Sequence, residues 1–511
     1  MKSSRRGFIR GLAGISAVGA GGCFTFGKGG KIRLAAVGVG GKGFSDWLPM
    51  LESGKAELVA LCDADKDQLF QAQARLQKLK KPYNIMKIPF FQDYRQLIDA
   101  IADGKIKVDA MTVSTPDHSH AAIAISAMKL GIHVYVQKPL VRTLGELDYF
   151  NKVARDYGVI TQLGNQGSAL SSMRRCTEIV QSGVLGDVTE VHVWTNRPVW
   201  PQGLKAAATT KGPAMAIPST LDWSAWLSVA QDRPYRGKIS SELKGYDPWN
   251  LCANVYHPFS WRAFYDFGCG AFGDMACHTM NMAFRGLELG VVSSAECVLI
   301  EEKNDIAYPT KSTVKLVYAA RDSKVRPGVK LPECTLYWYD GNQQPSADIM
   351  PEVVNTFKKV PQTGCYIIGT KGCVIMQDDY GGKCAMALKG EKTVLDVFKH
   401  EATAAIERRI PFRLDAKDSL AVKSGAAAVS ADGHYVEFLD AINGDGPVYA
   451  ETNSRCYADI DYSIPLMEGI LVGCMAQRIP GKLKWDAKAQ RFDVAAANEL
   501  IKPYIRKGFE F

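Results

Sequence analysis

The sequence lacks any run of about 18 uncharged apolar residues, so no membrane-spanning helix is expected. It also lacks a CxxC pair. Its 13 cysteines are odd in number and scattered, which argues against a zinc ribbon or a redox dithiol, while 511 residues is too long for a disulfide scaffold. Buried free thiols are the expectation. A strong charge of one sign is missing too: the formal +9 includes Lys2, Arg5, Arg6 and Arg10, and falls to +5 without them. That is a weak basis for a nucleic-acid partner, and none is expected. With 47% apolar and 23% charged residues, disordered and collagen-like classes are excluded, and a soluble globular protein of two or more domains remains. No internal repeat is visible.

What is present begins with 3-SSRRGFIRGLAGISAVGAGGC-23, paired arginines followed by a short Gly/Ala-rich apolar run. This resembles a twin-arginine export signal, which implies an exported, periplasmic protein and sets residues 1–30 apart from the fold. AGGC at 20–23 also resembles a loose lipoprotein box, making Cys23 a possible lipid anchor.

From residue 31 the pattern alternates. Apolar runs at 31–37, 57–62, 107–115 and 132–137 read as strands, and segments 65–79, 93–103, 119–130 and 143–156 read as helices. A further helix follows residue 43, shortened or kinked by Pro49. Such alternation predicts an α/β domain with a parallel sheet covered on both faces, assigned to residues 31–157. From about 185 the stretches 188–195, 294–302, 312–319 and 333–340 alternate only partly. They predict an α+β domain, residues 158–511, on a large open, mainly antiparallel sheet. The Pro/Gly/Thr-rich segment 201–220 reads as loop.

Gly38, Gly40, Gly41 and Gly43 of 38-GVGGKG-43 follow the first strand and open a helix, and Asp63 closes the second strand 20 positions after the last glycine. That context is a dinucleotide fingerprint: backbone approaching a pyrophosphate, a helix N-terminus facing its charge, and a carboxylate for a ribose hydroxyl. Asp63, with Asp65 two residues on, would repel a 2′-phosphate, so NAD is expected over NADP. Two more stretches fall where strand ends meet in the crevice, namely 114-STPDHSH-120, with Thr115, Pro116 and His120, and 137-QKP-139, with Gln137 and Lys138. His118 reads as helix-entry polarity.

Together these residues resemble the glucose-fructose oxidoreductase / inositol dehydrogenase family (Gfo/Idh/MocA), in its exported bacterial members. The motifs run in order through GVGGKG, CDAD at Asp63, STPDHSH, QKP, 164-GNQGS-168, 183-GVLGDV-188, 221-LDWSAWL-227, a DxxxH pair, and the tail ILVGCMAQRIPGKLKWDAKAQRF. The resemblance implies a Rossmann domain, a second domain whose open sheet binds substrate and pairs chains into a homo-oligomer, and oxidoreduction of sugars or cyclitols. It adds Asn165 and Gln166 to the cofactor candidates and maps the family's catalytic lysine, aspartate and histidine onto Lys138, Asp274 and His278. The family's usual Glu-Lys-Pro is Gln137-Lys138-Pro139 here, and losing that carboxylate removes an attraction for the ammonium form of Lys138.

Asp274 and His278 lie four residues apart in 270-GAFGDMACHTMNM-282, a spacing that puts both on one helix face. A metal site would need Cys269, Cys277 or His257 to complete it, and the spacing matches no closed zinc pattern, so no metal is expected. A core pair satisfying itself is a second reading. The third follows from the cofactor: oxidising an alcohol requires a proton acceptor, an imidazole suits that at neutral pH, and a carboxylate one turn back can orient it. On this reading His278 is the acid/base group, Lys138 polarises the substrate oxygen, and Asp274 orients His278 or binds a hydroxyl. Seven of the nine tryptophans lie between Trp194 and Trp338, which suits a carbohydrate partner, with Arg197, His257 and Arg262 as polar substrate candidates.

The expected activity is therefore NAD(P)-dependent oxidoreduction of a sugar with a tightly held, recycled cofactor. An NAD-dependent glycosidase working by transient oxidation and elimination is one alternative. A non-catalytic sugar-binding Rossmann protein is the other.

Overall fold

The computed structural model describes residues 30–237, 252, 254–413 and 432–511. The arginine pair and Cys23 lie outside the described residues.

Six strands form a parallel sheet in the order β3-β2-β1-β4-β5-β6: β1 Ile32–Val37, β2 Ala56–Cys62, β3 Phe90–Phe91, β4 Ala110–Val113, β5 His133–Val136 and β6 Thr161–Leu163. The apolar run of β1 is buried along nearly its whole length, as a strand covered on both faces must be. Helix Gly41–Glu52 contains Pro49 without ending there, because Ser53 N still bonds Pro49 O at 3.0 Å. Helix Leu144–Tyr157 starts at a reciprocal cap between Thr143 and Glu146 and ends at Gly158, whose φ of +60° suits glycine.

The second sheet has ten strands, β16-β15-β14-β13-β7-β12-β9-β8-β17-β18. They are β7 Val188–Trp194, β8 Val292–Glu301, β9 Lys311–Tyr318, β12 Cys334–Tyr339, β13 Gly364–Gly369, β14 Gly372–Met376, β15 Cys384–Leu388, β16 Leu395–Asp396, β17 Lys482–Asp486 and β18 Arg491–Phe492. A separate ribbon pairs β10 Arg321–Asp322 with β11 Lys330–Leu331. All ten are antiparallel except the β7–β12 pair. Helix Gly203–Thr209 interrupts the expected loop at 201–220, the LKAAAT stretch outweighing the Pro and Gly around it.

The division at 157 does not hold as a clean cut. β6 lies beyond it in the first sheet, and late segments return to the first domain: Leu163 N bonds Ala458 O at 2.9 Å and Gly145 N bonds Ile501 O at 2.9 Å. Helix Ile460–Arg478 touches helix Leu144–Tyr157, β6, β8, β9 and helix Gly270–Thr279. It is buried on almost every side and serves as the spine between the sheets.

Close approach along this spine requires glycine at two points. A Cβ at Gly473 would lie 2.1 Å from the Phe272 ring, and one at Gly469 would lie 2.6 Å from the Tyr318 hydroxyl. Phe272 in turn stacks on Trp338 of β12 at 4.6 Å, so the helix carrying Asp274 and His278 is pinned between spine and sheet. Gly473→Val is expected to destabilise the fold by about 1–3 kcal/mol through overpacking, read as a lower midpoint in denaturant unfolding. An unchanged midpoint would contradict this packing.

Candidate active site

The carboxyl ends of β1, β2, β4, β5 and β6 open on one crevice, which is where ligands bind in sheets of this type. Gly38 leaves β1 with φ +83°, and a Cβ at Gly43 would lie 1.8 Å from Gly38 O, so the turn and the helix that follows close on each other only with glycine. Gly40 caps helix Gly41–Glu52 with no side-chain bond, and Gly41 is exposed, so the helix's first N–H groups face an open space. Asp63 follows β2 and accepts from Val39 N at 2.9 Å and Asp65 N at 3.1 Å. Burial pushes its carboxyl up to about 6, partly offset by these donors. This donor set and acid fit a dinucleotide: an uncapped helix start for the pyrophosphate and a carboxylate for a ribose.

Other cofactor candidates separate into two groups. Thr115 and Pro116 line the turn after β4, where Ser119 Oγ bonds Thr115 Oγ1 at 2.9 Å. Gln166 faces Lys42, its amide oxygen accepting from Lys42 Nζ at 2.6 Å. His120, however, is fully buried between Pro139 O and Thr115 O, each 2.8 Å from a ring nitrogen, and ties two turns together instead of facing a ligand. Asn165 is also fully buried and donates to the Tyr462 hydroxyl at 3.1 Å. Gln137 is turned inward, its amide donating to Asp46 at 3.0 and 3.1 Å.

Lys138 reaches across the crevice from the end of β5. Its Nζ donates to Asp274 Oδ1 at 2.8 Å and to Asp274 O at 2.9 Å, and Arg262 Nε stands 3.3 Å from the same carboxylate oxygen. Burial opposes ionisation of Asp274, but the Lys138 ammonium and the Arg262 guanidinium outweigh it and hold the carboxyl well below the usual carboxylate range. Arg262 is fixed by rings, with Phe259 at 4.1 Å and Trp261 at 4.2 Å. The carboxylate that residue 137 does not provide thus reaches the lysine from the other domain.

His278 follows one turn later on helix Gly270–Thr279, buried, with Nδ1 lacking a partner among the described residues. It is not hydrogen-bonded to Asp274, whose Oδ1 accepts from Lys138 and Arg262, so neither the orienting role nor the self-satisfied core pair describes the two. Burial, and then the Lys138 ammonium, push the imidazole well below its ordinary value, so it is neutral near pH 7. The groups that could have completed a metal site turn elsewhere. Cys277 Sγ faces Gly273 O and Met467 Sδ, Cys269 Sγ faces Arg142 O, and His257 Nε2 lies 3.4 Å from Asp65 Oδ2. His257 therefore belongs to the ribose-acid end of the crevice and not with Lys138.

Three more residues join this site, Tyr380 and Asp379 with no local signal in the sequence and Asp117 from within the STPDHSH stretch. Tyr380 places its ring 4.6 Å from the His278 ring, on a loop knotted by Asp378 Oδ1 accepting from Tyr380, Gly381 and Gly382 N–H groups. Asp379 pairs with Arg197 at 3.2 Å and accepts from Thr363 Oγ1 at 2.6 Å. Asp117 accepts from Cys269 N at 3.2 Å, and burial pushes it up to about 8, against the pull of Arg262 and Lys138.

This crevice is that of an NAD-binding Rossmann domain facing a second, mainly antiparallel sheet. Residues 32–165 match the Gfo/Idh/MocA family model described as oxidoreductase family, NAD-binding Rossmann fold. The chain is 29% identical over 204 residues to a glycosyl hydrolase family 109 protein of Solibacter usitatus, and 30% identical over 167 residues to glycosyl hydrolase family 109 protein 2 of Akkermansia muciniphila. Those matches cover 37% and 31% of this chain and only 44% and 33% of the relatives. The fold is similar to an inositol dehydrogenase homologue of Azotobacter vinelandii, solved with NADH and myo-inositol, at TM-score 0.56 and 16% identity over 89% of this chain and 98% of that one. It is also similar to a levoglucosan dehydrogenase, solved with NADH and levoglucosan, at TM-score 0.53 and 15% identity over 89% and 99%.

Because Asp63 accepts more strongly from a ribose hydroxyl when ionised, and burial pushes its carboxyl up to about 6, NAD affinity is expected to be level above pH 7. Below 6 it should weaken, by at most about tenfold per pH unit. Calorimetric titration with NAD across pH 5 to 8 checks this; an affinity independent of pH would contradict it.

Proposed function

We propose that the protein is an NAD-dependent oxidoreductase acting on a hydroxyl of a sugar or sugar derivative. The observation that carries this reading is the Lys138 ammonium held at 2.8 Å by Asp274 in the crevice of an NAD-binding domain, with a buried neutral imidazole one turn along the same helix. Bound NAD would supply the acceptor for hydrogen leaving carbon with its electron pair. Lys138 donates a hydrogen bond to the substrate oxygen, and Asp274 with Arg262 fixes the direction of that ammonium. His278, neutral and short of one partner, accepts the hydroxyl proton. Arg197 and Asp379, paired at the crevice wall, are the polar groups proposed for other hydroxyls. Tyr380 offers an apolar ring face for a sugar C–H surface.

The cofactor is proposed to be held and recycled. Support comes from the way the second domain closes on the ribose acid: Asp222 N bonds Ala64 O at 2.8 Å, Lys66 N bonds Thr220 O at 2.9 Å, and Asp65 pairs with Leu221 in an isolated bridge. Retention of this kind fits export of a folded, loaded protein, which rests on the arginine pair alone.

A second reading, transient oxidation followed by elimination of a glycosidic group, is favoured by the names of the sequence relatives, one of them an alpha-N-acetylgalactosaminidase. It uses the same Lys138 and His278. Turnover of p-nitrophenyl N-acetyl-α-galactosaminide in heavy water, with deuterium entering C2 and no net change in NAD, would select it. NADH accumulation or hydride passed to a second carbonyl compound selects the first.

On either reading, His278→Ala and Lys138→Met are each expected to lower kcat by about 10²- to 10⁴-fold with NAD still bound. The imidazole is held below its ordinary value, so at saturating NAD the rate should show no acid-side step near pH 6.5. A near-wild-type rate in either variant, or a step at that pH, would remove the assignment.

A further inference from the structure

Behind Lys138 lies a carboxylate that the reaction itself does not use. Asp46 is fully buried on the helix that opens at the glycine turn. It accepts from the Gln137 amide at 3.0 and 3.1 Å, from Ser114 Oγ at 2.7 Å, from the Tyr435 hydroxyl at 3.0 Å, and from Lys42 Nζ. Gln137 Oε1 in turn accepts from Lys138 N at 3.3 Å. One carboxylate therefore joins the glycine-turn helix, the ends of β4 and β5, and helix Asp432–Ile442.

We propose that Asp46 is the positioning residue for Lys138, acting through Gln137, and that this chain requires an amide at 137 because the carboxylate sits at 46 instead. A glutamate at 137 would bring a second carboxylate within about 3 Å of a buried one, where two negative charges cannot both persist. The amide removes that conflict: its N–H donates to Asp46 while its oxygen is left for the lysine backbone. Asp46 finds its counter-charge in Lys42 on the same helix. The other titratable groups facing it are Tyr435 from the returning helix and Tyr135 from β5. Lys42 also bonds Gln166, so the pair links the glycine turn to the wall of the crevice. The functional part of the claim rests on the role of Lys138 proposed above, whereas the pairing stands on geometry alone.

The test is an exchange of the two side chains. Gln137→Glu, Asp46→Asn and the double variant Asp46→Asn/Gln137→Glu are compared as full-length protein, without added ligand, by thermal denaturation between pH 5 and 8. Gln137→Glu should melt well below the parent at pH 8 and approach it at pH 5 as one carboxyl takes up a proton. The double variant, which reverses acid and amide, should recover most of what each single variant loses. Should Gln137→Glu fail to accumulate, a folded double variant with a parent-like melting point supports the exchange, and a double variant that also fails overturns it. In turnover of p-nitrophenyl N-acetyl-α-galactosaminide, or of a sugar whose oxidation yields NADH, the single variants should lose about tenfold or more in kcat with KM little changed, and the double should regain it. Additive losses, or a Gln137→Glu deficit constant with pH, would overturn the proposal. Recovery of melting without recovery of kcat would overturn the positioning role alone, and a parent inactive on every sugar would count against the function and not against the pairing.

Discussion

The contact between Lys138 Nζ and Asp274 Oδ1 is the constraint on which the site depends. It joins the end of a parallel strand to a helix that belongs to the second sheet, so the crevice is completed only when the two layers dock. Both side chains are mostly buried, and removing two charges from water opposes such a pair. Here the cost is offset by neighbours: Arg262 adds a second cation to the carboxylate, and Asp274 O gives the ammonium another acceptor. Losing one partner would leave a buried charge uncompensated, a change of about 3–5 kcal/mol in comparable pairs. The pair therefore fixes the orientation of the lysine more firmly than it stabilises the fold.

The rest of the architecture keeps that pair in register. The spine helix Ile460–Arg478 comes close enough to the site helix for Phe272 to fill the space at Gly473, and Trp338 backs Phe272 from the sheet. On the other side, Asp46, Gln137 and Tyr435 hold the turn that carries Lys138. His278 is placed by the same packing and keeps its proton-accepting form because burial and a neighbouring cation disfavour the imidazolium. Rigid apolar contacts thus set the protonation states that the proposed chemistry requires.

Local signals carried much of this into the sequence. The glycine turn, the acid after the second strand and the Asp274–His278 helix are each specified within a few residues, and the parallel sheet follows from alternating strand and helix, whereas the short strands β3 and β6 carry no apolar run long enough to be read. What was not legible is long-range. Asp274 finds its partner 136 residues away in Lys138, not four residues away in His278, and Asp46 meets Tyr435 across 389 positions. His257 goes to Asp65, and His120 and Asn165 become internal struts, because a polar residue near a strand end has no local feature telling which way it turns. The late helices that return to the first sheet blur a boundary that composition alone draws sharply. Tyr380 owes its place to a tight loop around Asp378 that has no periodicity to betray it.

The most direct measurement is a crystal structure of the protein with NAD bound. The account predicts the reactive carbon of the nicotinamide within roughly 3–6 Å of Lys138 Nζ, one hydrogen bond or one water away, with Asp274 still on the ammonium and His278 on the same side of the ring. A nicotinamide directed out of the crevice, or a Lys138 withdrawn to another partner, would contradict it.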